Sequence, residues 1–522
     1  MTQQVRAIQL HQAPDPGTCR LLCRGDVITF TLSLDAPAEG NAWVRTNIGS
    51  ARITRQEIIR EVEAGDPPLG RGWFDVPLKR VDDRRFEATL ALTEVGHFEA
   101  KCFFLLDGAD EPLWPEGPNV DINVCPWQTC CANSIYNAFV RQFGPNKAGG
   151  FHDPVRAQDI QELDRAGYHV IPPSGTFRDL IAEIDFIIGT LGCRFIQLLP
   201  VFPTPTTYGR MGRFGSPYAA LSFSEVDPAL ARFDSKATPL DQFVELVDAV
   251  HTRHGRVLID IAINHTGWAA RLHEIHPEWL SRKEGGEIEV PGAWGVEWAD
   301  LTRLDYTHRD LWTYMAEVFL KWCRRGVDGF RCDAGYMIPL SAWRYIIATV
   351  REQFPDTVFF LEGLGGKRSV TRDLLNRGNF DWAYSELFQN TDRRQIEHYL
   401  PEPISFSEQV GVMVHFAETH DNNRLASVSI PYARMRTALC ALLSPQGAFG
   451  FANGVEWFAT EKIMVHEANS LNWGEPVNQV DRIQRLNRLL RDHPAFSPGT
   501  ELRMVQSGSG NHIALLRRHR FQ

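Results

Sequence analysis

The sequence predicts an α/β protein: a (β/α)8 TIM barrel preceded by an N-terminal β-sandwich and followed by a short C-terminal β segment. Three observations carry that prediction. The chain has 522 residues, several times the roughly 150 of an ordinary domain, enough for a large barrel and a smaller companion. Residues 1–125 hold short apolar or alternating strands punctuated by Gly, Asp and Pro. From 133 onward, short apolar strands alternate with longer stretches of helical periodicity, about eight times over some 350 residues.

In order, VITFTLSL (27–34), AWVRTNI (42–48), RFEATLAL (85–92) and HFEAKCFFLL (97–106) are the sandwich strands. EGPNVDINVCPWQ closes that domain and leads into the barrel, which occupies 126–490. SIYNAFVRQF (134–143) is strand-like, FRDLIAEIDFIIGTLG (177–192) is a helix stopped by Gly, and FIQLLPVF (195–202) is a buried strand. LDQFVELVDAVHTRHG (240–255) and RVLIDIAIN (256–264) repeat the pattern. The helix LWTYMAEVFLKWCRRG (311–326) precedes the strand VDGFRCDAG, and the helix WRYIIATVREQF (343–354) precedes TVFFLEG. WAYSE (382–386), MVHFAETHD (413–421) and GAFGFANG (447–454) complete the set. The segment 266–310, rich in Trp, Glu and Gly, separates the third strand from its helix and reads as a long functional loop. Residues 491–522 begin a C-terminal β region. IALLRRHRF there reads as a strand with no partner after it, as if that region were cut short or the chain went on.

Composition narrows the function. Lys and Arg number 54 against 64 Asp and Glu, a net charge of -10, which is not the basic footprint of a nucleic-acid binder. No stretch approaches the roughly 18 apolar residues of a membrane span. The start, MTQQVRAIQLHQ, lacks the apolar core of a signal peptide, so a cytoplasmic address is expected. The ten cysteines show no paired CxxC pattern. Free, mostly buried thiols are expected there, with no zinc.

In a parallel barrel the C-terminal strand ends build the active site. DIAINH supplies Asp260, Asn264 and His265; GFRCD supplies Arg331 and Asp333; FFLEG supplies Glu362; FAETHDNN supplies His420 and Asp421. Any one of these is an ordinary solvated strand end or structural ion pair. Four such ends converging on one rim form a catalytic constellation. It suits glycoside cleavage, in which one carboxylate attacks the anomeric carbon and a second, kept protonated, protonates the departing oxygen. Arg331 lies two residues before Asp333, on the same side of the strand, and should keep it ionised. The apolar VFFL before Glu362 should raise its pKa, as an acid needs. Neutral or charged, the two histidines can donate hydrogen bonds to sugar hydroxyls.

DIAINH, GFRCD, FFLEG and ETHDN resemble, in order and spacing, the four signature regions of the α-amylase family of glycoside hydrolases and transglycosylases. The resemblance covers roughly 133–460 and implies a retaining double displacement on an α-glucan or malto-oligosaccharide. It assigns Asp333 as nucleophile, Glu362 as general acid/base and Asp421 as the carboxylate gripping sugar hydroxyls. Asp260, Asn264, His265, Arg331 and His420 belong to the surrounding sugar site, and Tyr218, in GSPYAALSF, to the aromatic that stacks on the same sugar. No cofactor is implied. Asn264 is a calcium ligand in some relatives, yet no further carboxylate cluster accompanies it, so no metal is expected. Where typical amylases carry Lys and His three and four residues after the nucleophile, this chain has Tyr336 and Met337. INHTGWAARLHEIHPEWL resembles the glucanotransferase half of glycogen debranching enzymes, whose glucosidase half has no counterpart in these residues. HPEWL and Pro339 also resemble maltosyltransferases that use maltose 1-phosphate. Those usually lack the Asn-His of the third strand and carry Asn where Ala334 stands. The expected order is therefore a debranching-type 4-α-glucanotransferase, then the phosphate-using maltosyltransferase, then a hydrolase. A non-catalytic glucan-binding barrel should have lost a carboxylate, and all three are present.

Three features remain open to a structural or a functional reading. TPTTYGRMGRFGSPY (204–218) is expected to touch substrate, since loops on this rim carry function. Trp268, Trp279, Trp294 and Trp298 either face sugar or pack the long loop. The N-terminal sandwich, without a clear exposed aromatic pair, is expected to pack rather than bind glucan.

Overall fold

In the N-terminal domain a single sheet folds over on itself to bury alternate residues of its strands. The strands are β1 (Leu10–Ala13), β2 (Cys19–Cys23), β3 (Val27–Leu34), β4 (Gly40–Thr46), β5 (Phe74–Arg80), β6 (Arg85–Ala91), β7 (Gly96–Leu106) and β8 (Val120–Cys125). They run in the order β1-β3-β6-β5-β4-β7-β8-β2, antiparallel throughout except for the parallel pair of β2 and β8. Ile28, Phe30, Leu32 and Leu34 of β3 meet Phe98, Ala100, Cys102 and Phe104 of β7 in one core. These strands are not ladder neighbours, so the sheet turns back where the β5–β6 ladder narrows to two residue pairs. That is the predicted sandwich, with one departure from an all-β reading. Residues Ala51–Glu63 form a helix, α1. Its sparse apolar stripe of Ile58, Ile59 and Val62, hidden among Arg and Glu, packs against the barrel.

The computed structural model describes residues 8–129, 133–149, 154–293, 295–497, 499–505, 510 and 512–519. The barrel opens with β9 (Ser134–Ala138), α2 (Pro154–Arg165), α3 (Phe177–Ile181), β10 (Phe195–Leu198), α4 (Pro239–Thr252) and β11 (Arg256–Ile261). The long third loop holds β12 (His265–Gly267), α5 (Arg271–Ile275), β13 (Gly292–Ala293), β14 (Val296–Glu297) and β15 (Leu301–Arg303). Then come α6 (Arg309–Cys323), β16 (Gly329–Cys332), α7 (Leu340–Gln353), β17 (Val358–Leu361), α8 (Arg368–Asn376) and β18 (Trp382–Tyr384). After α9 (Arg393–Tyr399) and α10 (Pro401–Gln409) run β19 (Val412–Phe416), α11 (Leu425–Val428), α12 (Ile430–Leu443) and β20 (Phe449–Ala452). The eight strands β9, β10, β11, β16, β17, β18, β19 and β20 close into a parallel barrel in that order. Gly329 lets β16 and β17 approach, because a Cβ there would stand 2.4 Å from the Val358 carbonyl.

Inward residues fill the barrel in layers. Leu258, Val358, Trp382 and Val412 lie low, and above them Phe360 stacks on Tyr384 at 4.4 Å, with Phe416 4.8 Å beyond. At the C-terminal end α13 (Val480–Asp492) leads to β21 (Thr500–Val505), which pairs antiparallel with β22 (Ala514–His519). The strand expected to lack a partner is therefore satisfied by the one before it. Among the described cysteines seven are free and buried, and Cys23 departs from expectation by being disulfide-bonded. No described helix is long and apolar enough to cross a membrane.

Candidate active site

The site grows from one cross-strand pair. Asp260 on β11 and Arg331 on β16 are register partners, and both side chains point into the barrel. Arg331 rests over the Tyr384 ring at 5.5 Å and spreads its guanidinium among three carboxylates. Its Nη1 donates to Asp260 Oδ1 and Oδ2 at 2.9 Å and to Asp333 Oδ1 at 2.6 Å, and its Nη2 lies 3.0 Å from Glu362 Oε2. Asp333 follows β16 directly, Glu362 follows β17, and the shared guanidinium brings the two together.

Glu362 receives a second donor. Ala334 has φ +42°, and this left-handed turn after Asp333 aims its backbone N–H at Glu362 Oε2, 2.7 Å away. Both donors sit on Oε2, so a proton on Glu362 belongs on Oε1. One arginine cannot neutralise three buried carboxylates, and one of them must hold a proton. At about 5 Å in an effective dielectric near 20, two carboxylates repel by roughly 3 kcal/mol, or about two pKa units. Burial, the Asp333 charge and the Asp421 charge raise Glu362 to about 8, against the opposing pull of Arg331. Burial raises Asp333 less, to about 6, with Arg331 pulling it down. With these shifts the proton resides on Glu362 while Asp333 is ionised, a pairing that has the chemistry of one nucleophile and one acid.

This sets an expected pH profile. Activity should rise as pH passes through the lower value and Asp333 ionises, then fall through the higher value as Glu362 loses its proton. The two limbs belong to the coupled pair, and both should lie above the ordinary carboxylate range. A profile of kcat/KM checks this; an acid limb at an ordinary Asp value of about 4 would contradict it.

Tyr218 bridges the two sides of the cleft. Its hydroxyl donates to Asp260 Oδ2 at 2.9 Å and lies 2.7 Å from His420 Nε2. One hydroxyl has one proton, so His420 Nε2 carries the hydrogen and donates to the tyrosine oxygen. Burial lowers the His420 pKa to about 4, so the ring is neutral. Its ring lies parallel to that of Tyr218, with centroids 5.7 Å apart. Asp421 Oδ2 stands 3.3 Å from the same Nε2, with its side chain 61% exposed and open to a ligand. His265 is buried beside the Tyr218 backbone, edge-on to Trp298 at 6.1 Å.

Asn264 is not part of this cluster. Its Nδ2 faces Met337 Sδ at 3.3 Å, and it lines a separate cavity of about 220 Å³ with Arg303, Asp305 and Tyr306. The thioether offers no ligand to a calcium ion, which takes six to eight oxygens, while Asn264 Oδ1 is buried without a hydrogen-bond partner. Among the described residues, the one group close enough to hold an ion is His97, Glu99 and Asp121, in the other domain.

Other residues enter the site that the motifs do not reveal. Tyr384 forms the floor under Arg331, its hydroxyl paired with Gln197 at 2.9 Å. Tyr336 is half-buried, and the charges of Glu362 and Asp333 help burial raise its pKa. The aromatic in the middle of WAYSE was a usable signal for Tyr384; the Ala334 N–H leaves none. The 204–218 loop divides its work. Tyr218 reaches the site, whereas Arg213 is tied to Asp164 at 2.8 Å and to the Val170 carbonyl at 2.9 Å. Of the loop tryptophans, Trp279 is buried against His276 at 3.7 Å, and Trp268 donates to the Ala299 carbonyl at 2.9 Å. Trp294 lies outside the described residues.

No protein-family model matches the chain. It is 26% identical over 402 residues to an α-1,4-glucan:maltose-1-phosphate maltosyltransferase of Cereibacter sphaeroides, covering 69% of this chain and 65% of that one. The chain thus spans less than two thirds of the length of that curated relative. Among solved structures it resembles an α-amylase from Lactobacillus plantarum, with a TM-score of 0.57 and 23% identity over 72% of this chain and 84% of that one. It also resembles a debranching enzyme from Nostoc punctiforme, with a TM-score of 0.54 and 18% identity over 75% and 87%. The fold is that of the α-amylases.

Proposed function

We propose that this chain is an enzyme that transfers glycosyl units between α-1,4-glucans with retention of configuration. The Arg331 cluster supports the reading, because it leaves one ionised and one protonated carboxylate side by side. An Asp333 oxygen attacks the anomeric carbon as the bond to the leaving oxygen breaks, and Glu362 gives that oxygen its proton. An acceptor hydroxyl then attacks the same carbon, Glu362 takes its proton, and the bond to Asp333 breaks. Asp421, Tyr218 and His420 hold the hydroxyls of the reacting sugar. Hydrogen bonds that tighten as the ring flattens stabilise the transition state of the reaction more than its ground state.

The finer reading is transfer of a maltosyl unit from maltose 1-phosphate to a glucan. The name of the Cereibacter relative supports it over the debranching activity that the motifs put first. The likeness to the debranching enzyme speaks for fold alone. Ala334, in place of the Asn expected after the nucleophile, favours the glucanotransferase as the second reading.

Incubation with maltopentaose, without and then with phosphate, decides among them. Phosphate-dependent release of maltose 1-phosphate is the expected result. A ladder of longer and shorter oligomers without phosphate means a glucanotransferase, and shorter products only mean a hydrolase. Unchanged maltopentaose under all conditions, together with inert maltose 1-phosphate and glycogen, would overturn the proposal.

A further inference from the structure

A cavity of about 70 Å³ lies at the joint between the two domains, between the start of α1 and the outer face of α7. Four of its lining residues are arginines: Arg55 from the N-terminal domain, and Arg344, Arg351 and Arg377 from the barrel. No Asp or Glu lines it. Arg55 is held by Glu352 at 3.2 Å and by the Val95 carbonyl at 3.4 Å. Arg351 is 1% exposed and bound to Asp381 at 2.7 Å and Asn379 at 2.5 Å, yet its Nε has no hydrogen-bond partner. Among the described residues the side chains of Arg344, which is part-buried, and Arg377, which is exposed, make neither a hydrogen bond nor an ion pair.

This is an unusual way to leave a guanidinium. A part-buried arginine normally finds a carboxylate, because an unpaired charge out of water is costly. Arg344 instead has Arg377 for a neighbour. Burial and that like charge lower its pKa, and Glu61 and Glu99 offset this from beyond ion-pair distance. Two guanidinium forks, Arg344 and Arg377, lining one void without a counter-charge of their own match an oxyanion, which accepts two bonds from each fork. A water needs about 15 Å³ of such space, so the cavity admits a tetrahedral anion, and anything attached to it must project outward.

We propose that this joint is a binding site for a phosphoryl group, either free phosphate or the phosphate of a small phosphorylated sugar. The bound group lies between Arg344 and Arg377, beside Arg55, and so clamps α1 to α7. The clamp is close to the chemistry in the chain. α7 starts seven residues after Asp333, and Asp381, the partner of Arg351, accepts from the Phe359 N–H of β17, the strand that Glu362 follows. The site stands apart from the catalytic cleft, and its test does not depend on the reaction proposed above.

The test is thermal unfolding and calorimetry of the full chain with phosphate, glucose 1-phosphate or chloride at matched ionic strength. Phosphate should raise Tm beyond chloride, in a saturable way. In Arg344→Gln and Arg377→Gln affinity should fall at least about tenfold per lost fork, and the double variant should lose the response. Without phosphate, Arg344→Gln should unfold at the same or a higher temperature, since it removes an unpaired charge; this separates lost binding from a damaged fold. Tighter binding of glucose 1-phosphate than of phosphate identifies a sugar phosphate as ligand, and the reverse identifies free phosphate. No response beyond chloride, or one that persists in the double variant, would overturn the site.

Discussion

Asp333→Ala is expected to lower kcat/KM by roughly four to six orders of magnitude, the loss seen when a nucleophile is removed from a concerted catalytic set. On the proposed mechanism Asp333 forms the glycosyl-enzyme, and the other carboxylates of the cluster are engaged elsewhere. Asp260 already gives both oxygens to Arg331 and one of them also to Tyr218. Glu362 is held through Oε2 by Arg331 and the Ala334 N–H. The fold should survive, because Arg331 retains Asp260 and Glu362, and unfolding should show little change in Tm. Removing the Asp333 charge should also lower the Glu362 pKa, since that charge helps to raise it. Azide can enter the vacated space, so with an α-glycosyl fluoride Asp333→Ala should recover activity and release the β-glycosyl azide, inverted at the anomeric carbon. Recovery with retention would show that another residue carries the covalent intermediate.

Glu362→Gln should give the second large effect, and one that depends on the leaving group. With a glucan the leaving alcohol needs a proton, and loss of the acid should cost about two to four orders of magnitude. With a glycosyl fluoride or with maltose 1-phosphate the departing group is already a good anion, and the first step should fall by less than about tenfold. The second step still lacks its base, so the glycosyl-enzyme should accumulate. The alkaline limb of the pH profile should vanish with it. A loss of equal size for good and poor leaving groups would show that Glu362 positions substrate and gives no proton.

The barrel was legible because its signal is local. Each strand is an apolar run followed by helical periodicity, and all eight close in the expected order. The carboxylates were legible because they sit at strand ends, where an apolar core would not accept them unpaired. What escaped depends on register or backbone. Asp260 was placed with the sugar-binding residues, but its register with Arg331 makes it the buried counter-ion that Tyr218 caps. The Ala334 N–H acts through a left-handed φ, which no side chain records. Helix α1 was lost because its apolar stripe is narrow and satisfied only by the barrel. On the N-terminal sheet, Trp43 and Phe103 are register partners on β4 and β7 and stack at 5.4 Å, with Trp114 against Phe103 at 4.8 Å. Their separation of sixty residues hid an aromatic cluster where no exposed pair was expected. Asn264 was carried over from the sugar site by its motif, yet faces Met337, because the turn after Asp333 places a thioether there.

The central claim is that Asp333 bears the sugar between two displacements. Peptide mapping by mass spectrometry of Glu362→Gln, quenched after exposure to α-maltosyl fluoride, tests it directly. The account predicts one maltosyl unit attached through an ester to Asp333, absent when Asp333 is also replaced by Ala. A maltosyl unit on any other residue, or fluoride release with no adduct and an inverted sugar product, would contradict it.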